Sequence, residues 1–168
     1  YTLFFERMLD NPLIRVNLNT SLESMDKYEL SKYDKIIYTG PIDAYFKNKY
    51  EPLEYRSIKF DIQRIYNTGY YQPNSVVNYP GKTPEFTRIV EYKHFLHQDS
   101  PHTVIVKETT DDNSDEPYYP VPNENNQKLY QRYKELADQE KNVYFVGRLA
   151  NYKYFNMDQA ILNALNFF

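Results

Sequence analysis

The chain has no cysteine, no tryptophan and only four glycines in 168 residues. Without cysteine there is no disulfide, thiolate metal centre or thiol nucleophile. No segment approaches the roughly 20 apolar residues of a membrane helix, and no charged-then-apolar leader opens the chain, so neither an anchor nor a secretion signal is expected. The glycines, at 40, 69, 81 and 147, are too far apart to form a Gly-x-Gly-x-x-Gly phosphate turn. Positive charge is not in excess either. A net charge of −3 and a pI near 5.7 argue against a broad nucleic-acid surface, although a few arginines suffice for one small anion.

Tyrosine is abundant instead, at nineteen residues. Its ring packs while its hydroxyl bonds, which suits sugar and phosphate sites and ordinary packing alike. Leu3, Phe4, Met8 and Leu9 recur at helical spacing directly from the first residue, with no capping residue before them, so the chain reads as entering mid-helix. Ile14, Val16 and Leu18 alternate as a strand over 13–18. Lys35 to Tyr38 is a second strand, delivered into the turn at Gly40.

A series of hairpins is expected next. Ile58, Phe60 and Ile62 alternate with polar residues, the pattern of a half-buried strand over 58–66. Asn67, Thr68 and Gly69 then reverse the chain into a strand over 70–79, and Pro80 and Gly81 reverse it again into one over 86–95. A fourth strand covers 103–108. The polar stretch 109–115 is expected as a solvated loop, and the acidic pairs Asp111 with Asp112 and Asp115 with Glu116 as solvated charge. Leu129, Tyr133 and Leu136 mark an amphipathic helix opened by Asn123 or Asn125. Val143 to Val146 is a buried strand ending at Gly147, and 157–168 is a terminal helix with Ile161, Leu165 and Phe168 inward.

Three places invite chemistry. In 143–160, a strand, a glycine, Arg148 and a loop lead to a helix headed by Asn156, placing free backbone donors beside a strand end where an anion or polarised carbonyl would bind. Asn156 with Gln159 also fits a capping box that needs no ligand. Arg88 sits among apolar residues of its strand, and its partner is either a carboxylate, Glu91 or Asp61, or a phosphate. Tyr118 and Tyr119 lie between Pro117 and Pro120, which fix where the rings point. His94, His97 and His102 do not have metal-ligand spacing, so no metal site is expected.

The runs Gly40 to Phe46, Leu53 to Ser57, Asn78 to Tyr79, Phe86 to Ile89, Glu91 to Phe95, Glu116 to Pro120 and Gly147 to Asp158 resemble, in order and spacing, UDP-galactopyranose mutases. The resemblance runs the length of the chain and corresponds to the carboxyl-terminal half of that family. It implies an α+β fold in which an antiparallel sheet domain, residues 50–116, is flanked by 1–49 and 117–168. These flanks would complete a Rossmann-like FAD-binding domain, the last carrying the terminal helix.

The implied activity is interconversion of UDP-galactopyranose and UDP-galactofuranose by reduced FAD, with flavin N5 as nucleophile and no net redox change. Carried over by motif, Arg88, Tyr119 and Tyr154 would hold the diphosphate of UDP-galactose, with Asn78 toward the sugar and Asn156 where several members have an aspartate. Gly147, Arg148, Met157 and Asp158 would lie by the flavin. FAD is expected to bind only with an amino-terminal segment that supplies the missing glycine turn. The isolated chain is expected to be inactive, cytoplasmic, free of membrane and nucleic acid, and prone to self-association through uncovered sheet edges. A related FAD oxidoreductase and a non-catalytic sugar-nucleotide module are the alternatives.

Overall fold

The computed structural model describes residues 1–111 and 116–168. By its contacts the chain divides into 1–36 and 37–168. The first unit holds helix α1 (Thr2–Leu9), a 3-10 turn (Leu22–Ser24) and a single helical turn α2 (Lys27–Leu30). The strand expected over 13–18 does not form. Leu13 donates its N–H to Asn11 Oδ1 at 2.9 Å and Ile14 donates to Asn11 O at 2.9 Å, so local turns take up donors that a strand would give to a neighbour. Helix α1 buries none of its residues.

In the second unit, β1 (Ile36–Tyr38) pairs with β7 (Val143–Phe145) in a two-stranded sheet. Helices α3 (Ile42–Tyr45) and α5 (Glu124–Ala137) pack around a core of Ile42, Leu53, Tyr133 and Tyr152, with Phe46, Tyr50 and Leu129 against it. Asn123 caps α5 by accepting from the Asn126 N–H, which resolves the expected pair of caps.

The core tyrosines keep their hydroxyls satisfied on the main chain. Tyr133 donates to Glu51 O at 3.0 Å and accepts from Tyr50 N–H, and Tyr152 donates to Glu54 O at 2.6 Å. Burial, with Glu54 nearby, pushes the Tyr152 phenol up to about 12 despite a bond from the Val121 N–H.

The second sheet has the order β3-β4-β5-β2-β6, where β2 is Tyr55–Ile65, β3 Val76–Asn78, β4 Arg88–Glu91, β5 Thr103–Asp111 and β6 Tyr119–Pro120. It is antiparallel, as expected, but it is not a run of sequential hairpins. β2 pairs with β5, Phe60 opposite Glu108, instead of with the segment after Gly69.

The expected strand over 70–79 is reduced to Val76–Asn78, and main-chain donors ahead of it go to a side chain. The N–H groups of Tyr71 and Gln72 go to the Glu91 carboxylate at 2.9 and 3.0 Å, and the Lys93 ammonium binds Gly69 O at 2.8 Å. The strand expected over 86–95 stops at Glu91 and gives way to a helical turn, α4 (Lys93–Leu96), closed by His97 at φ 46. The expected loop over 109–115 is strand as far as Asp111; Asp112 and Asp115 lie outside the described residues.

Helix α6 (Met157–Phe167) turns a different face inward from the one expected. Ile161 is 56% exposed, and Leu165 and Phe168 are also exposed. Asn163 decides this: its Oδ1 accepts the Gly147 N–H at 3.0 Å, and Phe167, one turn on, packs on Tyr144. A polar anchor on the 160, 163, 164, 167 stripe thus overrides the larger apolar residues beside it.

Candidate functional site

Strand period and register assemble the site. On β2 the even residues Arg56, Ile58 and Phe60 share one face, and the pairing places Phe60 opposite Glu108, Glu108 opposite Arg88 and Arg88 opposite Asn78. At the other edge Arg56 lies opposite Tyr119. Directly paired residues of antiparallel strands project to the same side, so Asn78, Arg88, Glu108 and Arg56 meet on one surface with Tyr119. Together with Tyr154 they line an open cleft of about 700 Å³.

The Arg88 Nε binds Glu108 Oε2 at 2.5 Å, with the guanidinium side chain 40% exposed and the carboxylate 7%. The partner expected for Arg88 was Glu91 or Asp61, and both are displaced by Glu108. Glu91 is odd-numbered on the strand that carries Arg88 and therefore points to the opposite face, where it binds Thr103, Tyr71, Gln72 and His94. The Glu108 bond, aided by Tyr119 and opposed by burial, raises the Arg88 pKa. The guanidinium is tethered through Nε and stays charged.

Tyr118 and Tyr119 take different surroundings. Tyr118 packs edge-on to Phe60 and bonds Glu116, while Tyr119 faces the cleft. The Tyr119 and Tyr154 rings lie near-parallel, with centroids 5.8 Å apart.

The other site residues stand apart from the cleft lining. Asn156 is exposed and its N–H is held by Gln159 Oε1 at 2.9 Å, the capping role. Met157 and Asp158 are exposed on the first turn of α6. Gly147, at φ 101, gives its N–H to Asn151 and Asn163. The Arg148 guanidinium is engaged by the Tyr118 and Phe155 carbonyls. Among the described residues no group of three His, Asp or Glu is placed to hold a metal, and no helix is long and apolar enough to cross a membrane.

These observations also test the fit to a flavin dinucleotide. The chain has no glycine turn for a pyrophosphate at a helix start, and the Gly147 N–H and part of the Arg148 guanidinium are already engaged within the protein. The residues described do not by themselves build an FAD cradle.

Sequence reasoning missed Arg56 and Glu108. Glu108 carries the same parity as Val104 and Val106, which would have aligned it with Arg88 had the β4–β5 pairing been known. Arg56 had no such local signal.

The chain shares the fold of a solved crystal structure of reduced UDP-galactopyranose mutase, with a TM-score of 0.62 over 77% of this chain and 40% of that one, at 16% identity. The family model for UDP-galactopyranose mutase matches residues 1–154. The chain belongs to the UDP-galactopyranose mutase family. The UDP-galactopyranose mutase of Mycoplasma genitalium is 38% identical over 96% of this chain and 43% of its own length. The dTDP-fucopyranose mutase of Escherichia coli is 30% identical over 98% of this chain and 45% of its own. The chain therefore spans less than half the length of these relatives.

Proposed function

We propose that this chain contributes the diphosphate-holding cleft of a flavin-dependent UDP-galactopyranose mutase, an isomerase acting in the cytoplasm on UDP-galactopyranose and UDP-galactofuranose. The observation that supports it is the convergence of Arg88, Tyr119, Tyr154 and Asn78 on one open cleft. A planar guanidinium held at Nε by Glu108 and bonded to Tyr119 has further N–H donors suited to phosphate oxygens, and two phenols side by side add neutral donors. Arg56 brings a second cation to the same wall, so the cleft keeps net positive charge after Glu108 is counted. These groups suit the diphosphate common to UDP- and dTDP-sugars.

The chain's part in catalysis is to bind and orient the leaving diphosphate so that charge developing on it is stabilised. The residues that would hold reduced FAD would come from polypeptide beyond this chain.

The test has two arms. In the first, UDP-galactose is titrated into the purified chain and followed by phosphorus NMR. Both resonances are expected to broaden saturably with the native chain, and Arg88→Gln is expected to weaken binding by about 10- to 100-fold, the scale of a charge-assisted contact. In the second, the amino-terminal portion of the Mycoplasma genitalium relative is fused ahead of this chain, and conversion of UDP-galactofuranose is assayed by chromatography with dithionite-reduced FAD. Binding that Arg88→Gln leaves unchanged would sink the assignment.

A further inference from the structure

Tyr119 sits on the two-residue strand β6 and Tyr154 in the loop between β7 and α6, thirty-five positions later, and neither segment is long enough to hold a ring by itself. What lies against both is Arg148. Its guanidinium carbon is 5.2 Å from the Tyr119 ring centroid and 4.8 Å from that of Tyr154, within cation–π range of each. The rings are near-parallel and the carbon is about equally far from both, so the guanidinium touches the pair as a unit.

Its N–H groups reach the main chain next to each phenol. Nη2 donates to the carbonyl of Phe155, the neighbour of Tyr154, and Nη1 makes a long contact of 3.5 Å to the carbonyl of Tyr118, the neighbour of Tyr119. The Arg148 backbone is fixed in turn, because its carbonyl accepts the Lys153 N–H at 3.0 Å and the Gly147 carbonyl accepts the Asn151 N–H at 2.9 Å. One residue, anchored in a closed loop, thereby ties two distant segments together at the points where each presents a hydroxyl to the cleft.

We propose that Arg148 is a positioning residue for the diphosphate site: its guanidinium staples the Tyr119 and Tyr154 segments so that the two phenols form one preorganised pair. This rests on the diphosphate reading above for its purpose, though not for its geometry. A planar fork with several donors can serve two rings and two carbonyls at once, and an ammonium group of equal charge cannot. Stapling and simple charge therefore make opposite predictions for lysine.

The experiment compares the native chain with Arg148→Lys and Arg148→Gln, using UDP as the probe. Three readouts are taken: UDP affinity by calorimetry at two salt concentrations, tyrosine ring signals in carbon-13 spectra assigned with Tyr119→Phe and Tyr154→Phe, and nitrogen-15 signals of the arginine guanidinium in the native chain. The expected result is that both variants bind UDP about tenfold more weakly, with little change in salt dependence, and that the Tyr119 and Tyr154 signals move together. In the native chain the Arg148 guanidinium should show hindered rotation, a signature that needs no variant to fold.

Arg148→Lys binding like the native chain with unmoved tyrosine signals, or a freely rotating native guanidinium, overturns the staple while leaving the diphosphate site standing. No UDP binding by the native chain, with the guanidinium still hindered, removes the diphosphate reading and leaves only the staple's geometry.

Discussion

The centre of the five-stranded sheet, β4 and β5, and the neighbouring strand β2 are built from the same alternation and end in opposite conditions. On the odd face Ile89, Ile105 and Glu91 are at most 2% exposed, and Glu91 receives donors from the main chain at 71 and 72, Thr103 and His94. On the even face Val90 and Val106 are buried as well, whereas on the neighbouring β2 Phe60 is 44% exposed and Ile62 67%, beside the open cleft of Arg88 and Tyr119. Apolar alternation thus identifies which residues share a side, and it does not say which side is covered. The side that looked like a core from Ile58, Phe60 and Ile62 carries the candidate site and is covered only farther in, at Val90 and Val106, while the other side of β4 and β5 is closed over the Glu91 carboxylate.

The sharpest way to break this contrast is an isoleucine truncated on each side. Ile105→Ala should cost about 3 kcal/mol or more, read from urea unfolding, since it opens a cavity where no surface was exposed. Next comes Glu91→Gln, expected to cost about 2 kcal/mol by the same measurement, because the amide cannot accept from all the donors arranged around a carboxylate.

A pH series sharpens the point. Burial alone would raise the Glu91 pKa, but the bonds from Thr103, Tyr71, Gln72 and His94 outweigh it and hold the carboxyl below its ordinary 4.5. A carboxyl lowered on folding contributes stability above its unfolded value and loses it as pH falls through the folded one. The native chain should therefore weaken on acidification below about pH 4.5 by a step that Glu91→Gln lacks. The smallest effect belongs to exposed β2: Ile62→Ala should stay within about 0.5 kcal/mol of the native chain, and a large loss there would mean that Ile62 is covered after all.

Much of the element plan was legible in the chain. The helix behind Asn123, the strand into Gly40, the strand into Gly147 and the Asn156 to Gln159 cap are written in local signals that act within a few residues. The strand expected over 13–18 is lost to local turns at Asn11, whereas two other misreadings come from a distant group. A Glu91 side chain took the donors that would have made 70–75 a strand, and Asn163 bound Gly147 and so chose the face on which α6 docks.

The sequence by itself determined the residue types for a diphosphate, an arginine and proline-framed tyrosines, together with family membership through the order of its motifs. Only the tertiary structure decided that Asn78, Arg88 and Glu108 form a row, that Arg56 and Tyr119 flank it, and that Arg148 lies against both phenols. The reason is physical: periodicity fixes the direction of a side chain relative to its own strand, whereas register, and therefore company, is set by hydrogen bonds between strands far apart in the chain.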